Sequence, residues 1–184
     1  FAGMLSFSSC ESDRDSNPVL QEPTEFVLNT PAYVNTTYDL ANSTSLELTC
    51  SQPNFGYTAP TVYAVQVATD ISFSNFVQLD TKYTTAKMNV DASEIAVAMT
   101  NLKLAENYSE SSFPMTTQMF IRVVAELNSA TSTVASITSN VITLPNVKVE
   151  FALPPVKLPQ ELHLIGGFCD WNWGNAPSMV PVYD

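Results

Sequence analysis

Apolar residues recur at every second position through most of the middle of this chain. Phe26 and Leu28 share one face, Leu46, Leu48 and Cys50 form a second row, and Tyr63, Val65 and Val67 a third. The longest row is Met119, Ile121, Val123, Ala125 and Leu127, with Arg122 and Glu126 on the opposite side. Successive side chains of a strand point to opposite faces of its sheet, so a period of two marks a half-buried strand. Weaker alternation places further strands near residues 76–79, 86–90 and 139–144. Turn formers divide the rows: Pro31, Asn42-Ser43, Pro53-Asn54-Phe55-Gly56, Asn107 and Pro114. One segment has another period. Asp91-Ala92-Ser93-Glu94 has the form of a capping box, and Ile95, Met99 and Leu102 follow at helical spacing, which predicts a short helix between two late strands. About seven short strands separated by turns predict an all-β fold, an immunoglobulin-like β-sandwich with one short helix, over residues 24–147.

The flanks read differently. Residues 148–160 carry Pro154, Pro155 and Pro159 and read as a stiff linker, although Val147, Val149 and Phe151 can first add an edge strand. Residues 161–184 open as a strand running into Gly166-Gly167 and then an aromatic loop. So short a stretch cannot bury a core of its own, so we read it as the incomplete start of a second β domain. At the other end, MLSFSSC at residues 4–10 is apolar with small residues before Cys10, and residues 11–23 are acidic, polar and broken by Pro18 and Pro23. This resembles the end of a bacterial lipoprotein signal, with residues 1–9 as signal, lipid on Cys10 and residues 10–23 as a flexible tether. The plainer alternative is a buried apolar strand with an incidental cysteine; a polar continuation after Cys10 argues against it.

Charge narrows the function. Against 18 Asp and Glu stand 7 Lys and Arg, a formal net charge of −11, which would repel a phosphate backbone and argues against nucleic acid as a partner. Charged residues are only 14% of the chain, leaving Ser and Thr to face solvent, as in exported β proteins and unlike helical bundles. No stretch of apolar residues is long enough to span a membrane as a helix. Beyond Cys10, Cys50 and Cys169 are read as two free thiols, Cys50 as a small core residue.

No catalytic constellation is visible. His163, the single histidine, lies in an apparent strand without a serine or cysteine motif, and a structural or surface role fits it best. Cys50, His163 and Cys169 lack metal-ligand spacing, and the 5 glycines form no phosphate cradle, so no metal and no cofactor are expected. Both tryptophans, Trp171 and Trp173, fall in one polar loop with Asp170, Asn172 and Asn175. An indole offers a flat apolar face to the C–H side of a sugar ring, and amides beside it can bond hydroxyls. Trp171, Trp173 and Asn172 are therefore the candidate glycan-binding residues; the alternative is that one or both indoles fill a small core.

Three features together resemble the SusE family of outer-membrane lipoproteins, from the starch-utilisation system of Bacteroidetes. They are Cys10 with its acidic follow-on, Tyr57 with Pro60-Thr61-Val62-Tyr63-Ala64-Val65-Gln66-Val67 and Asp70-Ile71-Ser72-Phe73, and the run Leu164-Ile165-Gly166-Gly167-Phe168 leading to Trp171-Asn172-Trp173. The last is similar to the Gly-x-Phe-x-x-Trp opening of α-glucan-binding modules, with Gly167 and Cys169 in place of the more usual Asp and Asn. The resemblance implies a non-catalytic, cell-surface protein that binds starch or another α-glucan. It implies an immunoglobulin-like spacer, with a SusC-like porin and a SusD-like lipoprotein as partners. A pilus or adhesin lipoprotein, or the N-terminal appendage of a surface amylase, are the alternative readings. The alternating aromatic rows further predict that residues 24–147 alone have no starch affinity.

Overall fold

The computed structural model describes residues 19–56, 60–128, 135–155 and 162–179. They form two compact units divided after Leu153. The elements of the first are β1 Tyr38–Asp39, β2 Ser45–Thr49, β3 Thr61–Ala68, β4 Phe76–Tyr83, β5 Lys87–Asp91, α1 Ala92–Ala105, β6 Met115–Leu127, β7 Ser136–Thr138 and β8 Ile142–Val149.

The larger sheet has the order β1-β8-β6-β3-β4, with β7 also on β6. All its pairs are antiparallel except β1 with β8. The smaller sheet pairs β2 with β5, and Leu28 bridges to Cys50 on the other side of β2. The two sheets are those of a β-sandwich in which the first strand changes sheets: its early part joins β2, and its later part, β1, runs parallel to the last strand. The expected all-β sandwich with one helix is what the chain forms. Its core is made by the rows seen in the sequence: Leu46, Leu48 and Cys50 face Tyr63, Val65 and Val67, and Met119, Ile121, Val123 and Ala125.

Two bulges adjust the register. Met119 pairs with Leu144 but Thr117 with Val147, so Pro145 and Asn146 together face Gln118. A bulge tolerates proline, which has no N–H for the ladder. It also shifts the inward parity by one, so Ile142, Leu144, Val147 and Val149 all reach the core while Asn146 stays exposed and Lys148 lies only partly covered. The alternation at residues 147–149 is thus the second half of β8, and the parallel partner β1 keeps it from being an edge. The second bulge is in β4, where three residues, 79 to 81, lie opposite Val65.

That bulge explains a departure in α1. Asp91 caps the helix as expected, accepting from the N–H groups of Ser93 and Glu94. Glu94, however, accepts from the Thr81 N–H at 3.0 Å instead of turning back on the cap. The β4 bulge leaves that donor off the ladder, and an orphan backbone N–H is the stronger demand on a carboxylate. Ile95, Met99 and Leu102 are buried as the spacing requires. No helix of the described residues is long and apolar enough to cross a membrane.

Where β7 breaks into β8, side chains replace the ladder. Ser139 Oγ accepts from the Val123 N–H at 2.9 Å. Asn140 accepts from the Leu28 N–H at 2.8 Å and donates to the Leu28 carbonyl at 3.1 Å, tying the first strand to the last.

Candidate functional site

Of the sequence-marked residues, Cys10 and Tyr57 lie outside the described residues. Tyr63, Gln66, Asp70 and Phe73, in the first unit, are engaged in holding the fold. Tyr63 is 1% exposed and its ring lies 6.1 Å from that of Phe26. Gln66, on the opposite face of β3, donates to Gln78 Oε1 at 3.0 Å and accepts from Arg122 Nε at 2.7 Å. The guanidinium of Arg122 lies over the rings of Phe73 and Phe76, 4.1 and 5.1 Å from their centroids.

Asp70 folds the loop that brings Phe73 there. Its carboxylate accepts from the hydroxyls of Ser72 and Ser74 and from the Ser72 N–H. The Ser72 and Ser74 hydroxyls, favouring the ionised form, hold its pKa down to about 2. Phe73 takes a left-handed φ of 52° and turns back to bury its ring against Ala68 and Phe120. These residues form a bracket on the outer face of the sheet.

The second unit has a different character. A short hairpin pairs β9 (Leu162–His163) with β10 (Ser178–Met179), and the loop between them folds through two short 3-10 turns, Gly167–Cys169 and Trp173–Asn175. Asp170 and Trp171 are both left-handed, with φ of 53° and 57°. The loop is therefore turned rather than extended, and strand-like alternation of its side chains does not apply. Trp171 is 74% exposed and Trp173 69%. Phe168, which sequence reasoning did not single out as a site residue, is also exposed.

The side chain buried in this loop is Cys169, whose Sγ accepts from the Gly166 N–H at 3.3 Å. A thiol here takes an amide-like bracing role inside the turn. A Cβ at Gly167 would meet nothing within 4 Å, so that position is open. Asn172 Oδ1 accepts from the Gly174 N–H at 2.9 Å and caps the second turn, so this oxygen shapes the loop. His163 lies in β9 with its ring edge-on to Trp173, centroids 6.1 Å apart, and Nδ1 3.2 Å from the Ala176 carbonyl. Thus Trp173 is steadied by the hairpin, while Trp171 stands on a left-handed backbone at the turn.

Sequence reasoning also missed Tyr33, 81% exposed with φ of 61°. An available signal was its place among Pro, Asn and Thr, outside every alternating row. Cys50 and Cys169 are both free and buried, and burial pushes the Cys50 thiol up to about 11. Among the described residues no cluster of His, Cys, Asp or Glu could hold a metal ion.

No solved structure matches the chain. The family model described as SusE outer membrane protein matches residues 12–123, which include Tyr63 and the whole bracket of Gln66, Asp70, Phe73 and Arg122. With more than half of its length matched, the chain belongs to the SusE outer membrane protein family, and its place is the outer membrane.

Proposed function

We propose that the protein is a non-catalytic, lipid-anchored glycan-binding protein of the cell surface. It binds starch or a related α-glucan through the loop bearing Trp171 and Trp173 and holds the glycan for a SusC/SusD-type uptake system. The sandwich acts as a spacer, and lipid on Cys10 tethers the chain. The observation that carries the reading is the exposure of two indoles on one polar loop. Exposed indoles in water leave a large apolar area uncovered, and a sugar ring covers it while its hydroxyls keep polar partners.

Titration of the chain with maltoheptaose, beside thermal melting, tests this. Trp171→Ala removes one stacking face and weakens binding by about 1–3 kcal/mol, roughly five- to 150-fold in Kd. The melting transition of the sandwich stays in place. Unchanged affinity in a Trp171→Ala/Trp173→Ala variant refutes the site.

A further inference from the structure

The first unit has an open cleft of about 470 Å³ between the outer face of β2 and the loop that precedes β1. We infer that this cleft is a second, weak binding site for a neutral oligosaccharide, with the Tyr33 ring as its apolar platform. This goes beyond the spacer role, departs from the expectation that residues 24–147 have no sugar affinity of their own, and does not depend on the Trp171 loop.

The loop is built to hold its shape. The Thr36 N–H and hydroxyl both donate to the Tyr33 carbonyl, at 2.9 and 2.7 Å. The Tyr38 hydroxyl donates to the Ala32 carbonyl at 2.7 Å. Within this brace Tyr33 is left-handed and its side chain is 81% exposed. Such a backbone is costly for a bulky residue and needs support from its surroundings. Glycine or asparagine would relieve the cost, yet an aromatic ring stands there at the rim of a cleft.

The lining selects the ligand class. Within it Asn29 Nδ2 donates to Thr49 Oγ1 at 3.1 Å, and Thr30, Thr37 and Ser45 also line it. Two carboxylates belong to the cleft, and each already has a lysine: Glu47 with Lys87 at 2.8 Å and Asp39 with Lys148 at 2.9 Å. The charges are paired off, so the cleft favours neither a cation nor an anion. Hydroxyls and one amide beside an exposed ring suit a neutral polyol, which brings C–H faces for the ring and hydroxyls for the lining. The volume lies within the range of about 300–1,000 Å³ of small-molecule sites. Because the cleft is open to solvent, affinity on the order of millimolar is expected.

The test maps ligand-induced NMR shifts on the isotope-labelled full chain with maltoheptaose, cellohexaose and xylohexaose in turn. In a Trp171→Ala/Trp173→Ala background, at least one sugar shifts amides of residues 29–39 and 45–49. Tyr33→Gly, which keeps the left-handed backbone and removes the ring, abolishes those shifts without lowering the melting temperature. If Tyr33→Gly does lower it, Tyr33→Asn takes its place under the same criterion. Silence in residues 29–49 with all three sugars overturns the proposal, as do shifts there that survive loss of the ring. Shifts of residues 168–176 in the unsubstituted chain report separately on the tryptophan loop, so either site can fail alone.

Discussion

Replacing Arg122 tests whether the bracket on the outer sheet face holds the sandwich together. Its Nε–H to Gln66 Oε1 at 2.7 Å is a hydrogen bond from a charged group, and Gln66 is only 7% exposed. A bond of that kind contributes about 1.5–3 kcal/mol. Stacking over Phe73 and Phe76 adds about 0.5–1 kcal/mol for a partly exposed pair. Taken as additive, the two contributions make Arg122→Met cost about 2–4 kcal/mol, with its aliphatic stem retained. Arg122→Lys keeps the charge but loses the planar stack and the Nε donor, and costs about 1–2 kcal/mol. Urea denaturation followed by near-ultraviolet circular dichroism measures both. A double-mutant cycle with Phe73→Leu isolates the stack, with a coupling of about 0.5–1 kcal/mol expected for residues in contact. Arg122→Lys within about 0.5 kcal/mol of the unsubstituted protein, together with an additive cycle, would refute the bracket.

Other expectations concern separate parts of the chain. Ser139→Ala leaves the N–H of fully buried Val123 without its acceptor and costs about 1–3 kcal/mol in the same denaturation assay. Asp91→Ala removes the α1 cap and costs about 1 kcal/mol, visible as a lower urea midpoint. For Glu106, burial raises the pKa, but the Thr69 hydroxyl and Lys103 outweigh it and the net shift is downward. Its contribution is therefore complete above the unfolded-state pKa and is lost as pH falls through the lower folded value; Glu106→Gln flattens that acid limb in melts across pH. Cys10→Ala leaves an unprocessed or soluble form, measured by membrane fractionation, and normal retention of the variant would exclude the lipid anchor.

The fold was legible because its strands repeat a simple period. Leu46, Leu48 and Cys50 are buried as their alternation requires, as are Ile95, Met99 and Leu102 at helical spacing. What escaped was anything that depends on a partner distant in sequence. Glu94 looked like a local capping residue, but the donor it serves is in a β4 bulge, and nothing near residue 94 announces it. Pro145 lies inside β8, although proline ordinarily ends a strand. The pattern held a clue, since inward positions change from even at Ile142 and Leu144 to odd at Val147 and Val149. A parity change across a proline is the trace of a bulge. At the candidate site, two tryptophans in a polar stretch were conspicuous. Their different settings were not, because the left-handed residues at 170 and 171 are neither glycine nor asparagine.

In the first unit the motif residues that resemble the family and the exposed aromatic residues are different residues, although Tyr33 also lies within the matched stretch 12–123. Tyr63 is in the core, Gln66 is bonded on two sides, Asp70 is occupied by two serines, and Phe73 is 5% exposed. Each of these polar groups has its principal partner within the protein, so the family signature in this unit specifies a scaffold and leaves its ligand open. The binding proposed above calls for side chains that face solvent on a braced backbone. Tyr33 and Trp171 meet that condition, and both stand at positive φ in loops closed by their own hydrogen bonds. A rigid loop presents an aromatic ring with little ordering cost on binding, so even one stacked face can give measurable affinity. Stabilising the scaffold and altering the loops should therefore be independent operations. A chain carrying Tyr33→Gly and Trp171→Ala unfolds at the urea midpoint of the unsubstituted protein while its sugar binding weakens, and Arg122→Met lowers the midpoint while leaving sugar binding in place.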